Sequence, residues 1–285
     1  MKILVTGSAG QLGQCLQVAA KKYTTLNFCF TDSKELNIAS AEAIQNYFEK
    51  HNFDYCINAA AYTNVEQAET DQVKAFLINA EGVKHLAEAC QKHQTKLIHI
   101  STDYVFDGEK KSAYTEEDEV NPINVYGASK LKGEQYIQEI VKEYYIVRTS
   151  WLYSQFGNNF FKTISQKAAS GESLKITTQQ KGNPTNANDL AAAVLQIILS
   201  QKKNYGIYHY SNLGEATWYD FAKAIVDRQD KKTMVQASNA YKTKAKRPIN
   251  SCLDKGKIIE TFDLTIPQWE ASLTNLIDNE DQNCK

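Results

Sequence analysis

Several things are scarce in this 285-residue chain, and each scarcity removes a class of function. It has no excess charge: 32 basic residues stand against 33 acidic ones, for a formal net charge of −1. That balance gives neither nucleic acid nor an anionic membrane surface anything to attract. No apolar run approaches the ~18 residues a membrane-spanning helix needs. The chain reads as a core strand from residue 2, which leaves no room for a signal peptide. Six cysteines, at 15, 29, 56, 90, 252 and 284, are scattered with no C-x-x-C pair. Cys29 and Cys56 fall in strand-like runs and Cys90 in a helical one, so these three read as small buried hydrophobes in a reducing cytoplasm. The histidines at 51, 85, 93, 99 and 209 lack ligand spacing, and each reads as an ordinary surface or core residue. No metal site is visible, and there is no internal repeat or low-complexity tract.

What is present is an alternation. Strand-like runs at 2–6, 26–31, 55–58, 96–100 and 145–149 are separated by helical stretches at about 11–22, 41–51, 72–93 and 128–143. This rhythm implies βαβ units and a mostly parallel sheet covered by helices. Ser40 is placed to cap the second helix. In the fourth, Ile137, Ile140 and Val141, with Tyr144 after them, recur at helical spacing and should face the core. Beyond 150 the rhythm loosens. Helices are expected at 158–169, 187–200 and 218–227, the last capped by Thr217, with strands at 173–177 and 206–210. Pro184, Pro248 and Pro267 punctuate this half. The fold class is therefore α/β: a Rossmann-like, doubly wound parallel sheet with a smaller C-terminal α/β substrate domain. Residues 1–150 form the dinucleotide-binding part, about 185–215 return to it, and 151–285 are mainly the substrate part.

The first strand runs into Gly7-Ser8-Ala9-Gly10-Gln11-Leu12-Gly13 and then a helix. Glycines there permit a tight turn and close approach of backbone, and the helix N-terminus offers free N–H groups to a pyrophosphate. The spacing is G-x-x-G-x-x-G. Asp32 ends the second strand roughly 20 residues later, where a ribose-binding carboxylate is expected. A turn-forming role in Asp32-Ser33-Lys34 fits equally. An aspartate there favours NAD, while Lys34 close by can offset its repulsion of a 2′-phosphate, so NADPH and NADH both stay open.

Tyr126 and Lys130 lie four apart in Val125-Tyr-Gly-Ala-Ser-Lys130. On a helix they share a face one turn apart. A cation beside a phenol stabilises the phenolate and lowers its pKa, and a hydroxyl from Ser101-Thr102-Asp103, where the run Lys96 to Ile100 ends, could hold the same carbonyl oxygen. Such a set moves a proton to or from a carbonyl or alcohol. Gly7, Ala59 to Ala61, Ser101-Thr102 and Ser150-Trp151 all fall at carboxyl ends of strands, where open α/β sheets bind ligands. The short basic cluster Lys242 to Arg247 suits a small anion, or is a solvated loop.

These motifs, with Asn58 to Glu69, Ser101 to Gly108, Arg148 to Tyr153, Gly157 to Phe160, Gly182 to Thr185, Arg247 to Ser251 and Pro267 to Glu270, resemble the extended short-chain dehydrogenases/reductases and, more closely, the dTDP-4-dehydrorhamnose reductase family. The resemblance covers nearly the whole chain. It implies reduction of a nucleotide-linked 4-keto sugar with NADPH or NADH, in a cytoplasmic monomer or homodimer. It further implies that Gly10, Gln11 and Leu12 line the pyrophosphate and adenosine. Asp32 would face the ribose, Asn37 and Ile38 the adenine, and Ala61, Tyr62 and Thr63 would border the cofactor. Tyr126 would be the general acid, with Lys130 on the nicotinamide ribose. Thr102 and Asp103 would touch the sugar, and Trp151 would flank it. Trp151 as a core anchor and Asp103 as a turn cap are the plainer readings. Where some relatives place Mg²⁺-binding glutamates, this chain has Cys15 and Asn188, poor ligands for a hard cation. Other nucleotide-sugar 4-reductases or epimerases, and a non-catalytic nucleotide-binding subunit like that of methionine adenosyltransferase, share parts of the pattern.

Overall fold

The structure, a computed structural model, describes residues 1–229, 232–239 and 243–283. In chain order the first half holds β1 (Lys2–Thr6), α1 (Gln11–Ala20), β2 (Asn27–Thr31), α2 (Ala41–Lys50), β3 (Tyr55–Asn58), α3 (Val65–Ala68), α4 (Gln72–Phe76), α5 (Gly82–Lys92), β4 (Lys96–Thr102), α6 (Val125–Ile140) and β5 (Tyr144–Thr149). The second half adds β6 (Leu152–Tyr153), α7 (Phe160–Ala169), β7 (Leu174–Ile176), β8 (Lys181–Gly182), β9 (Thr185–Asn186), α8 (Ala187–Ser200), β10 (Gly206–His209), β11 (Ala216–Thr217), α9 (Trp218–Arg228), β12 (Val235–Ala237), α10 (Gly256–Phe262) and α11 (Trp269–Asn283). Lys242 and Cys284 lie outside the described residues.

Six strands form one parallel sheet in the order β10-β5-β4-β3-β1-β2. The chain reverses its direction of travel between β1 and β3, which opens a crevice beyond their carboxyl ends. Both faces are covered, so the strands read as nearly continuous apolar runs rather than alternating ones. One face packs Ile3, Val5, Ile57, Ile98 and Val147 against α1, α8 and α10. The other packs Leu4, Cys56, Leu97 and Ile146 against α2, α5 and α6, with Ile137 and Val141 among them and Ile140 and Tyr144 at the margin. A third core joins Tyr153 of β6 with Phe161, Phe221 and Trp269 from α7, α9 and α11. Cys56 and Cys90 are buried as expected; Cys29 is only half-buried and lies 2.9 Å from the Tyr47 hydroxyl.

Local chemistry sets the helix ends. Ser40 accepts from the Ala43 N–H at 3.2 Å, and Thr217 and Asp220 form a reciprocal capping box. Two helices depart from expectation. The stretch 72–93 is interrupted by a π-turn at Leu77–Glu81, and α6 starts at Val125 because Asn124 accepts from the Gly127 N–H at 2.8 Å. Among the described residues no helix is long and apolar enough to cross a membrane.

Candidate active site

The glycine turn is tightly built. Gly7 has φ +71°, and a Cβ on it would lie 2.6 Å from the Ala60 nitrogen across the crevice. A Cβ on Gly13 would lie 2.3 Å from the Gly7 carbonyl oxygen. Gly10 is the N-cap of α1 and has no side chain to satisfy the first N–H groups, which Gln11 and Leu12 begin. Neither Gly7 nor Gly13 has room for a side chain, and the helix end stays free for an anion. A dinucleotide pyrophosphate fits this donor set.

Asp32 follows β2. Its Oδ1 accepts from the N–H groups of Lys34 and Glu35 at 2.8 and 3.1 Å, so it does shape the turn. Asn37 caps the next turn through the Ala39 N–H, and Ile38 is buried against Gly82. Beyond β3, Ala61 and Tyr62 are half-buried and Thr63 is exposed. Tyr62 is clamped by Asn79, whose amide accepts from its N–H at 2.8 Å, donates to its carbonyl at 3.0 Å and donates to Ser129 Oγ at 2.9 Å. The π-turn is what carries Asn79 inward to make these bonds.

At the end of β4, Thr102 accepts from the Tyr104 N–H at 3.2 Å and donates to Asp103 Oδ1 at 3.0 Å. Tyr126, in the first turn of α6, sits edge-on to Tyr104 with ring centroids 5.9 Å apart, and its hydroxyl meets that of Thr102. Tyr126 and Thr102 therefore come together as the sequence implies. Lys130 does not complete the set in the expected way. Its Nζ donates to the Ile100 carbonyl at 2.6 Å and lies 3.1 Å from His99 Nε2. Burial pushes the Tyr126 phenol above its ordinary range, only partly offset by the Thr102 hydroxyl, so it is a protonated phenol rather than a lowered one. The expected lowering needs an ammonium on the phenol, and here Nζ is turned into the sheet. Burial takes Lys130 itself down to about 8, against a pull upward from Glu134.

Asp103 is buried, and burial raises its carboxyl to about 6, although Thr102 donates to its Oδ1 at 3.0 Å; its Oδ2 is buried with no hydrogen-bond partner among the described residues. Glu134 and Arg148 form a buried ion pair at 2.7 Å under β4, and Ser101 Oγ also donates to Glu134. Trp151 follows β5 with φ +45° and stacks on Trp218 at 3.7 Å, the rings nearly parallel; a Cβ on Gly182 would strike its indole at 2.6 Å. It is half-buried, with one face taken by Trp218.

Next to these groups lies a cavity of about 1060 Å³ lined by Lys110, Lys111, Lys181, Lys246 and Arg247, with Asp107 and Glu109 among them. Arg247 donates to Glu66 at 2.9 Å and to the Tyr104 hydroxyl at 3.3 Å, which ties the basic loop to the floor of the site. Part of the basic cluster seen in the sequence thus lines a concave surface. Lys110 and Lys181 had no motif to mark them. Cys15 is buried beside Ser154, with its thiol pushed up to about 11, and the Asn188 amide is engaged by Gln155 and Asn186. Among the described residues no group of three or more His, Cys, Asp or Glu is placed to hold a metal.

A doubly wound sheet, a glycine cradle at its switch point and a tyrosine–threonine pair at the end of β4 define a Rossmann-like oxidoreductase architecture. Within it, the chain belongs to the family described as "RmlD substrate binding domain", whose profile matches residues 1–282. It is 38% identical to the dTDP-4-dehydrorhamnose reductase of Aggregatibacter actinomycetemcomitans, over 96% of this chain and 98% of that one. Among solved structures, it is similar to a dTDP-4-dehydrorhamnose reductase from Clostridium acetobutylicum, with TM-score 0.94, 40% identity and coverage of 99% and 100% of the two chains. It is also similar to the Bacillus anthracis dTDP-4-dehydrorhamnose reductase in complex with NADP, with TM-score 0.93, 36% identity and coverage of 98% and 99%.

Proposed function

We propose that the chain reduces the C4 keto group of dTDP-4-dehydro-6-deoxy-L-mannose to a hydroxyl, giving dTDP-L-rhamnose, with NADPH or NADH as the reductant. The observation that supports this reading is that one sheet carries, beyond β1, a turn where Gly7 and Gly13 leave no room for a Cβ and, beyond β4, a Thr102 hydroxyl that lowers the Tyr126 phenol against the rise from burial. Gly7, Gly10, Gln11, Leu12 and Gly13 hold the pyrophosphate and adenosine side. Asp32 takes the ribose, Asn37 and Ile38 the adenine, and Ala61, Tyr62 and Thr63 border the remainder, with Lys130 at the nicotinamide ribose. When bound, the nicotinamide supplies hydride.

Thr102 turns its hydroxyl from Asp103 to the sugar oxygen and holds it; Tyr126 gives its proton to the same oxygen as negative charge develops there. A phenol raised by burial stays protonated at neutral pH, which suits a proton donor. Asp103, ionised above about pH 6, accepts from a sugar hydroxyl, and Trp151 flanks the ring. The five cations of the adjoining cavity suit a diphosphate, and binding that remote part orients the keto group. We place the dinucleotide-binding part at 1–150 with the return at about 185–215, and the substrate part mainly at 151–285. The protein acts in the cytoplasm as a monomer or homodimer, in nucleotide-sugar and surface-polysaccharide synthesis.

The test supplies the keto-sugar with NADPH or NADH, follows loss of reduced-nicotinamide absorbance and identifies the product. Stoichiometric oxidation with a new C4 hydroxyl is expected. Sugar interconversion without net oxidation would mean an epimerase, and binding without turnover a non-catalytic subunit; either result sinks the reductase reading.

A further inference from the structure

A buried row of side chains runs beneath the crevice. Thr6 Oγ1 lies 2.7 Å from Asn58 Oδ1, Asn58 Nδ2 lies 3.0 Å from His99 Nδ1, and His99 Nε2 lies 3.1 Å from Lys130 Nζ. All four residues are buried. One backbone group fixes which way the protons point along it. The Ala60 N–H lies 3.1 Å from Asn58 Oδ1 and can only donate. The amide oxygen therefore faces Ala60 and the amide nitrogen faces His99. That nitrogen also only donates, so His99 Nδ1 accepts. A neutral imidazole that accepts at one nitrogen carries its proton on the other. His99 Nε2–H then points at Lys130 Nζ. An ammonium has no lone pair to receive it, whereas a neutral amine does, and still donates to the Ile100 carbonyl.

We propose that the cofactor-free protein holds Lys130 as a neutral amine accepting from His99 Nε2–H, that His99 thereby sets the charge of Lys130, and that dinucleotide binding is coupled to uptake of one solvent proton at Nζ. The coupling rests on the placement of Lys130 at the nicotinamide ribose; the tautomer does not. Electrostatics agree. Burial, against an upward pull from Glu134, brings Lys130 down to about 8, and the hydrogen bond the amine receives from His99 carries the neutral form the rest of the way to neutral pH. Burial is the largest cause holding His99 well below its ordinary range, and it acts whether or not Lys130 is charged, so the imidazole is neutral too. The charged and titratable groups around Nζ are Glu134 on its own helix, His99 on β4, Arg148 on β5, and Tyr126 with Asp103 beyond it. Glu134 is the one that favours the ammonium, and its charge is met by Arg148 at 2.7 Å. His99 is a positioning residue: it acts through Lys130.

The tautomer is read directly from a long-range ¹H–¹⁵N spectrum of ¹⁵N-histidine-labelled, cofactor-free protein at neutral pH. His99 is expected to carry its proton on Nε2. His209, the other fully buried histidine, should show the opposite tautomer, because its Nδ1 donates to the Tyr114 carbonyl at 3.1 Å. Loss of one signal set in His99→Gln, or in His209→Asn should the first not fold, assigns the two. A proton on Nδ1 of His99 overturns the proposal. In ¹³C-lysine-labelled protein one lysine should titrate below about 8. Asn58→Asp gives His99 Nδ1 an acceptor, reverses the tautomer and should move that titration up toward the ordinary lysine range; an unmoved titration overturns control by His99. Calorimetry of NADPH binding near pH 8, in buffers of differing protonation enthalpy, should show net proton uptake, and none overturns the coupling. No arm depends on turnover, so failure of the reductase reading would register separately.

Discussion

The chemistry turns on two side chains whose ionisation burial moves in the same direction with different consequences. Tyr126 is kept protonated, which suits the proton-donating role proposed for it better than that of a waiting phenolate. Tyr126→Phe should lower turnover by roughly 10²–10⁴, the usual worth of a positioned general acid, with dinucleotide affinity unchanged by titration calorimetry. Asp103 has a folded-state pKa of about 6, above its ordinary 3.8. Its buried charge therefore costs stability above about pH 6, and the cost is relieved as pH falls from 6 toward 4. Asp103→Asn should raise Tm at neutral pH and weaken sugar-nucleotide binding, whereas a lowered Tm would contradict the buried-charge account. In the unchanged protein, the KM for the sugar nucleotide should rise as pH drops through 6, where the carboxylate is lost. Tyr126 and Lys130 were legible from residue type and spacing, because the chemistry demands those groups, and Thr102 was singled out by the family resemblance. His99, Asn79 and Glu134 were not. Each works through a neighbour far off in sequence, and a lone histidine in an apolar strand looks the same whether it fills space or fixes a proton.

At the scale of elements, α6 is the part that brings the phenol to the threonine. Its start is set by Asn124, and its approach by Gly127, where a Cβ would fall 2.1 Å from the Tyr104 carbonyl oxygen. The obstacle is backbone, which cannot swing aside as a side chain can. Gly127→Ala should cost about 1–3 kcal/mol by the ordinary penalty of overpacking, and should also reduce turnover, because Tyr126 is the preceding residue. Chemical denaturation and steady-state kinetics on the same preparation would show both; full stability with full activity would mean that the helix packs less closely. Nearly two turns further along, Gly133 lies against the Asn79 carbonyl, with a would-be Cβ 2.2 Å away, so α6 also seats on the π-turn. Helical periodicity runs unbroken from 72 to 93, and a single extra residue in one turn leaves it nearly intact. That is why the sequence reads there as one helix, and why Asn79 gave no sign that it would turn inward. The strands of the sheet were easier to read, since burial on both faces demands long apolar runs and tolerates little else.

For the whole molecule, the question is whether the alternation of the first 150 residues makes a unit that stands alone. The packing says that it does not. One face of the sheet, Ile3, Val5, Ile57, Ile98 and Val147, is covered by α1 together with Leu190, Ala191, Val194 and Ile198 of α8 and Ile258 and Phe262 of α10. The edge of β5 is paired by β10, which arrives from residues 206–209. A chain ended at 150 would leave half of that apolar face wet and an edge strand unpaired, and each buried aliphatic side chain so exposed forfeits about 1.5–3 kcal/mol. Against the 5–15 kcal/mol that holds a typical domain folded, the loss of a handful of these contacts is decisive. The 1–150 fragment should therefore aggregate or bind a hydrophobic dye, and show no cooperative thermal transition by circular dichroism. A fragment of residues 1–150 joined by a short linker to 185–266, which restores α8, β10 and α10, should recover a cooperative melt. Since the glycine cradle and Asp32 stand on β1 and β2 of this sheet, the same fragment should regain dinucleotide binding while the sugar side, which draws Trp151 and Lys181 from the omitted 151–184, is lost. Cooperative melting of 1–150 alone would mean that the returning segments decorate the sheet rather than complete it.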